Sequence, residues 1–356
     1  MRFKNKWYLL VRVGLLICSW TGTAFAIPTY SGFYVFGDSL SDVGNLYALT
    51  KGTVPVSPPY SKGRFSNGAV WVQDLAASLG LGQVTPSLKG GQDFAYGDAQ
   101  TGPTLAHPGN SILDKAIDLP AQLSAYQKAV PNPQPDALYA LWIGSNDVDA
   151  LITGLLDRSH SLSSSDIKTD INQAVGNIGS VVDSLAKDDM KHLLALNVPD
   201  LSKDPRAIAA AKNVDPRDPA AVLADIQTLT ETFNSAFQQE LLTLAQRDGF
   251  HLSFVNTYVA LDNIVADPRK YGLTNVTDPC WTGNFTDSQS GSVCANPNDH
   301  LFWDDLHPTA VVQSIVATDA LKALAVSEPA SASLFLIGLI GVFLAHVMTR
   351  VGRIQV

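Results

Sequence analysis

Four short, mostly apolar runs, each followed by a longer stretch of helical periodicity, limit what this chain can fold into more than any other feature. The runs are 33–36 (Phe-Tyr-Val-Phe), 137–143 (Ala-Leu-Tyr-Ala-Leu-Trp-Ile), 192–197 and 251–256. A strand that is apolar at consecutive positions, not alternate ones, is covered on both faces. Helical segments are expected at 42–49, 69–79, 119–129, 147–156, 166–187, 219–247, 258–266 and 308–325. Ser66 or Asn67 caps the second of these, Gly80 stops it, and Pro308 stands in the first turn of the last. Strands alternating with helices in this order predict an α/β fold, a parallel sheet with helices on both faces. No internal repeat and no second folded domain is visible between them.

Both ends of the chain read as processing segments. Residues 1–26 carry Arg2, Lys4, Lys6 and Arg12, an apolar stretch from Val13 to Trp20, and Ala24-Phe25-Ala26. This is the pattern of a secretory signal peptide cleaved after Ala26, taking Cys18 with it. At the other end, an apolar run from Ala332 to Met348 follows Ser327-Glu328-Pro329, and Arg350 and Arg353 trail it. The run is about the shortest that spans a bilayer, at roughly 1.5 Å per residue against a core of ~30 Å, and the arginines would stay in the cytoplasm. The arrangement resembles a PEP-CTERM sorting signal, with Ser327 in place of the first Pro. That resemblance implies an exosortase-type processing protease as partner; the alternative is a plain C-terminal membrane anchor. The expected organisation is therefore 1–26 signal peptide, 27–326 folded domain and 327–356 sorting signal with a membrane helix. Localisation would be outside the cytoplasm, at the cell surface or beyond.

Charge and cysteine content narrow the partners. The formal net charge is −9, and the two terminal segments carry Arg2, Lys4, Lys6, Arg12, Arg350 and Arg353 against the single acid Glu328, so the body is more acidic still. That argues against nucleic acid as a ligand. Cys280 and Cys294 remain after signal removal, and an even pair in an oxidising compartment is expected to bridge, closing a loop just before Asp304.

The chemistry converges on one sheet edge. The 33–36 run ends in Gly37-Asp38-Ser39, which sets a serine at the carboxyl end of a strand, where open α/β sheets bind their ligands. A helix cap is the plain reading of such a serine; the rest of the chain supplies the other. His307 is a base able to exchange a proton near neutral pH. Asp304, three residues earlier, is spaced to orient it; Asp305 is the alternative orienter, and the spacing favours Asp304. Donors for an oxyanion are the backbone N–H of Ser39, the backbone N–H of Gly97 and the side-chain amide of Asn146. Asp147 is read as holding its loop, and the remaining histidines as structural. Trp303 is the tryptophan considered for a wall of an acyl pocket. The Gly-x-Ser-x-Gly elbow of α/β-hydrolases is absent, since Ser41 stands at its last position.

Four blocks, Gly37-Asp38-Ser39-Leu40-Ser41-Asp42, Phe94-Ala95-Tyr96-Gly97, Gly144-Ser145-Asn146-Asp147 and Asp304-Asp305-Leu306-His307-Pro308, resemble in order and spacing a GDSL-type member of the SGNH hydrolases. Asp98 and Asp93 depart from the usual pattern. The resemblance implies a flavodoxin-like three-layer α/β/α fold with a mostly parallel five-stranded sheet, and ester hydrolysis without metal or cofactor. By position it implies Ser39 as nucleophile, His307 as base, Asp304 as its partner, and Ser39, Gly97 and Asn146 as the oxyanion hole. The leading expectation is a secreted serine esterase or lipase acting on lipid or another acylated molecule. A carbohydrate O-acetylesterase, an acyltransferase and a non-catalytic surface module are the alternatives.

Overall fold

The computed structural model describes residues 25–26 and 28–327, apart from 105, 107–108, 110–112, 135 and 157–162. Residues 1–24 of the expected signal peptide and the apolar run 332–348 lie outside the described residues, among which no helix is long and apolar enough to cross a membrane. Two units separate: Thr29–Leu324, and the two chain ends together. In the latter, Phe25–Ala26 and Val326–Ser327 form a short antiparallel pair.

The larger unit is built on four parallel strands, β1 (Phe33–Gly37), β2 (Leu138–Trp142), β3 (His192–Leu196) and β4 (His251–Val255), adjacent in that order. The helices are α1 (Asn45–Leu49), α2 (Trp71–Ser78), α3 (Asp114–Ile117), α4 (Leu119–Ala129), α5 (Ser145–Leu156), α6 (Ser164–Lys187), α7 (Pro205–Val214), α8 (Pro219–Asp248), α9 (Thr257–Ala266) and α10 (Ala310–Leu324). Alternate residues of each strand serve opposite faces. Phe36, Tyr139, Leu141, Leu193 and Ala195 meet the apolar sides of α4, α5, α6 and α8. Val35, Ala140, Trp142, Leu194 and Leu196 meet α2 and α10. This is the expected three-layer arrangement, and it explains why the strands read as unbroken apolar runs.

Four regular strands form where five were expected. The fifth place is filled by 92–96, which runs along the free edge of β1: Val35 N–H donates to Gln92 O (3.1 Å), Phe94 N–H to Val35 O (2.8 Å) and Tyr96 N–H to Gly37 O (3.2 Å). With this segment included, the spatial order is that of a flavodoxin-like sheet. Within the segment, buried Asp93 turns its carboxylate onto backbone, accepting from Ala95 N–H two residues on (2.9 Å) and from Val43 N–H (2.7 Å). The Ala95 bond is a local one of the kind that competes with a ladder.

Helix ends follow sequence signals where the cap is local. Ser163 and Asp166 form a reciprocal capping box on α6, and Asp218 with Pro219 opens α8, which Gly249 ends in the left-handed conformation. The α2–α10 pair differs from expectation. Asn67 does not cap α2; its Oδ1 accepts from Ala310 N–H (2.7 Å) at the start of α10, and Gln313 Oε1 in turn accepts from Trp71 N–H (3.0 Å) at the start of α2. Ser66 donates to Pro308 O (2.9 Å). Each helix start is thus capped by a side chain from the other end of the chain, and Gln313 Nε2 also donates to Leu40 O (3.5 Å), which holds the start of α10 beside the turn that follows β1.

Candidate active site

The chain reverses direction at the site because β1 ends against β2. Gly37 has φ +152°, and a Cβ there would lie 2.2 Å from Trp142 O, so only glycine fits. Buried Gln122 satisfies both main-chain groups of Gly37 through its amide (2.9 and 2.8 Å). Asp42, fully buried, then gathers the turn: it accepts from the N–H groups of Gly44, Asn45, Leu46 and Gly97 (2.5–3.0 Å). Burial raises the Asp42 carboxyl above the ordinary range, against the pull of those bonds. Ser39 is carried at the crest, just beyond the carboxyl ends of β1 and β2, where the strand order reverses. The hydroxyl of Ser41 accepts from Trp71 Nε1 (3.0 Å) and belongs to the scaffold.

From the other end of the polypeptide, His307 reaches Ser39, with Nε2 2.8 Å from Ser39 Oγ. Its Nδ1 lies 2.8 and 3.0 Å from the two oxygens of Asp304. A carboxylate there selects the Nδ1–H tautomer and leaves Nε2 as acceptor. Asp304 and His307 share one tight turn: Asp304 Oδ1 accepts from Leu306 N–H (2.9 Å) and His307 N–H (2.6 Å), and Trp303 N–H donates to His307 O (2.7 Å). All three side chains are buried. Burial alone would raise the Asp304 carboxyl, but the His307 charge, the bonds from His307 and the Tyr60 hydroxyl outweigh it, and the net effect is a lowering. Asp305 takes no part; its carbonyl accepts from Arg206 N–H (3.0 Å).

Tyr60 is the residue sequence reasoning missed. Its hydroxyl donates to Asp304 Oδ2 at 2.6 Å from a chain separation of 244 residues, inside a loop that shows no periodicity. Burial, then the neighbouring Asp304 charge, push the phenol far up, so it stays a donor. Tyr60 packs with Trp303, Trp281 and Cys280. Cys280 and Cys294 are joined in a disulfide, and Cys280 N–H and Trp281 N–H donate to Phe302 O and Trp303 O, tying this hairpin to the backbone that precedes Asp304.

The oxyanion donors are not all as expected. Ser39 N–H has no protein acceptor among the described residues. Asn146 donates one amide hydrogen to Ala99 O (2.8 Å), which orients the group and leaves the second hydrogen. The Gly97 expectation is corrected: its N–H is spent on Asp42 Oδ2 (2.8 Å). Glycine is needed at 97 for a different reason. A Cβ would sit 2.3 Å from the Phe65 ring, and that ring lies against His307, centroids 4.9 Å apart. Beside Ser39, burial lifts the Asp38 carboxyl to about 7; one oxygen accepts from Leu40 N–H and the other has no partner among the described residues.

Other expectations divide in the same way. Asp147 holds its loop, accepting from Thr101 N–H and Oγ1. Trp303 does not face the cavity beside Ser39; Trp142 does. His107 and His160 lie outside the described residues; His192 and His251 are neighbours at the opposite, amino end of the strands, their rings tilted with centroids 6.2 Å apart. His300 sits 3.5 Å from Cys294 Sγ, and with both sulfurs in a disulfide this trio has no thiolate to offer a metal.

An apolar cavity opens beside Ser39, His307 and Asn146 and extends between α9 and α10. Pro199, Leu201 and the buried Asp204 line it as well. Asn234 holds the backbone before Pro199 by a paired amide bond to Val198 (2.9 and 2.7 Å).

The family model described as GDSL-like Lipase/Acylhydrolase matches residues 33–320. The chain is 25% identical to the phosphatidylcholine-sterol acyltransferase of Aeromonas hydrophila, over 89% of this chain and 96% of that one. It is 26% identical to GDSL esterase/lipase 5 of Arabidopsis thaliana, over 78% and 79% respectively. Among solved structures, the extracellular lipase of Streptomyces rimosus aligns with a TM-score of 0.43 and 18% identity, over 83% of this chain and all of that one.

Proposed function

We propose, from the premise that this chain belongs to the GDSL-like lipase/acylhydrolase family and is a carboxylic ester hydrolase, that it works through an acyl-enzyme on Ser39. As Ser39 Oγ attacks the ester carbonyl, its proton passes to His307 Nε2. Asp304 stabilises the imidazolium through Nδ1–H without itself taking the proton. The tetrahedral oxyanion is met by Ser39 N–H and the second amide hydrogen of Asn146. His307 then protonates the departing alkoxide. Water, deprotonated by the same imidazole, attacks the acyl carbon and releases the acid and the Ser39 hydroxyl.

The observation that carries this reading is the continuous path Ser39 Oγ–His307–Asp304–Tyr60, each link 2.6–2.8 Å. An enzyme fold that had lost its activity would have no need to hold a buried serine, imidazole and carboxylate in register. Ser39→Ala is expected to lower the rate on p-nitrophenyl esters by about 10⁴-fold or more. A variant that keeps the wild-type rate would overturn the assignment.

The reading extends to location. The apolar stretch Val13–Trp20 with its basic start, and the paired Cys280 and Cys294, support export; the 327–356 segment supports retention by a membrane helix until an exosortase-type protease acts. Activity found outside the cytoplasm with the full chain, and inside it after deletion of residues 2–26, is the expected result of fractionation.

A further inference from the structure

Asp204 is 4% exposed and stands just before Pro205, at the N-cap of α7. An Asp in that place ordinarily accepts from an amide of the first helical turn. Asp204 does not. The amide of Arg206 in that turn donates instead to Asp305 O (3.0 Å), on the loop that carries Asp304 and His307. The Asp204 side chain is thereby left to line the cavity beside Ser39 and His307 on one side and a recess between α5 and α7 on the other. Its carboxylate accepts no hydrogen bond among the described residues. The two cations nearby are paired elsewhere: Arg206 with Asp149 (2.8 Å), and Lys203 with Asp200 (3.0 Å) and Asp262 (3.7 Å). Burial holds the Asp204 carboxyl well above the ordinary range; Arg206 draws it down, while Asp149, Asp200 and Asp305 push it further up.

A buried carboxylate is costly unless it is paired and hydrogen-bonded. Here the protein supplies neither a donor nor a free cation, and the carboxylate faces the cavity that holds the nucleophile. We propose that Asp204 binds a protonated amine carried by the alcohol half of the ester, so that esters of amino alcohols are preferred substrates. The proposal rests on Ser39 as nucleophile. The alcohol half fits because Asp204 adjoins the His307 loop, through the Arg206–Asp305 bond, and His307 is the group that protonates the departing alkoxide. A neutral hydroxyl would supply a hydrogen bond but no charge, and would leave the repulsion from Asp149, Asp200 and Asp305 in place. A substrate carboxylate is disfavoured by the same three groups.

The experiment compares two esters of one shape: 2-(dimethylamino)ethyl butyrate, protonated near neutral pH, and 3-methylbutyl butyrate, its neutral isostere. Acid release by the full chain gives kcat/KM for each. The wild type is expected to favour the cationic ester by at least about tenfold, the worth of one charge-assisted hydrogen bond. Asp204→Asn and, separately, Asp204→Thr keep a residue suited to the helix start, and each is expected to bring the ratio to about one. Fluorophosphonate labelling of Ser39 shows that the site is intact in these variants. Asp225→Asn removes the same charge from the exposed face of α8 and is expected to keep the wild-type ratio. A wild type with no preference for the cationic ester overturns the proposal. So does a preference that survives in both labelled variants, or one that Asp225→Asn abolishes, since the acidic body and not Asp204 would then attract the cation. A wild type that cleaves neither ester and takes no label would instead refute the nucleophile, and the amine site with it.

Discussion

The two halves of the site are held in opposite ways. The serine half is made of main chain: Gly37 pressed against Trp142 O, and Asp42 collecting four N–H groups from within and beside its own turn. It is a continuation of the sheet, and its position follows from strand pairing. The histidine half is a loop at the far end of the chain, held by side chains from elsewhere: Tyr60 on Asp304, Phe65 on His307, and the disulfide hairpin on the backbone at 302–303. Errors in the first half should therefore appear as lost stability. Errors in the second should appear as lost rate in a protein that still folds.

The largest contrast is expected from Asp304→Asn, which keeps the shape of the turn but presents the wrong group to Nδ1–H. A drop in kcat of about 10⁴-fold is predicted, with little change in the melting temperature. A fall of less than tenfold would mean that His307 is oriented by something other than Asp304. On the serine side, Asp42→Ala leaves four buried N–H groups without their acceptor. A loss of at least about 3 kcal/mol in chemical denaturation is predicted. Unchanged stability together with a large loss of rate would erase the distinction between the two halves.

Tyr60→Phe is the finer test. It removes one hydrogen bond to a charged group, and a fall in kcat of about tenfold is expected, with KM nearly constant. It also has a signature in pH. The folded Asp304 pKa lies below its ordinary value, so this residue contributes stability that is present above the unfolded pKa and is lost as pH falls through the lowered folded one. Without the phenol that lowering shrinks, and acid unfolding should begin at a higher pH than in the wild type. An unmoved acid midpoint would assign Tyr60 to packing alone.

This asymmetry also sets what could be read from the residues. The strands were legible because burial on both faces leaves nothing but apolar side chains at 33–36 and 138–142. Ser39, Asn146, Asp304 and His307 were legible because each lies in a short block whose chemistry is local. Tyr60, Phe65 and the Asn67 cap on α10 were not. Their roles exist only after residues some 240 positions apart have met, and a loop rich in proline and glycine carries no period to announce them. The Gly97 expectation failed for a related reason. Its amide is claimed by the Asp42 carboxylate, 55 positions away, the ring that requires a glycine there belongs to Phe65, and neither contact is announced by the residues around 97.

The most direct test of the shared centre is to treat the protein with a fluorophosphonate and locate the adduct by peptide mass spectrometry. A single adduct on Ser39 is predicted, formed much more slowly in His307→Asn and not at all in Ser39→Ala. An adduct on another residue, or full esterase activity in protein whose Ser39 is blocked, would contradict the account.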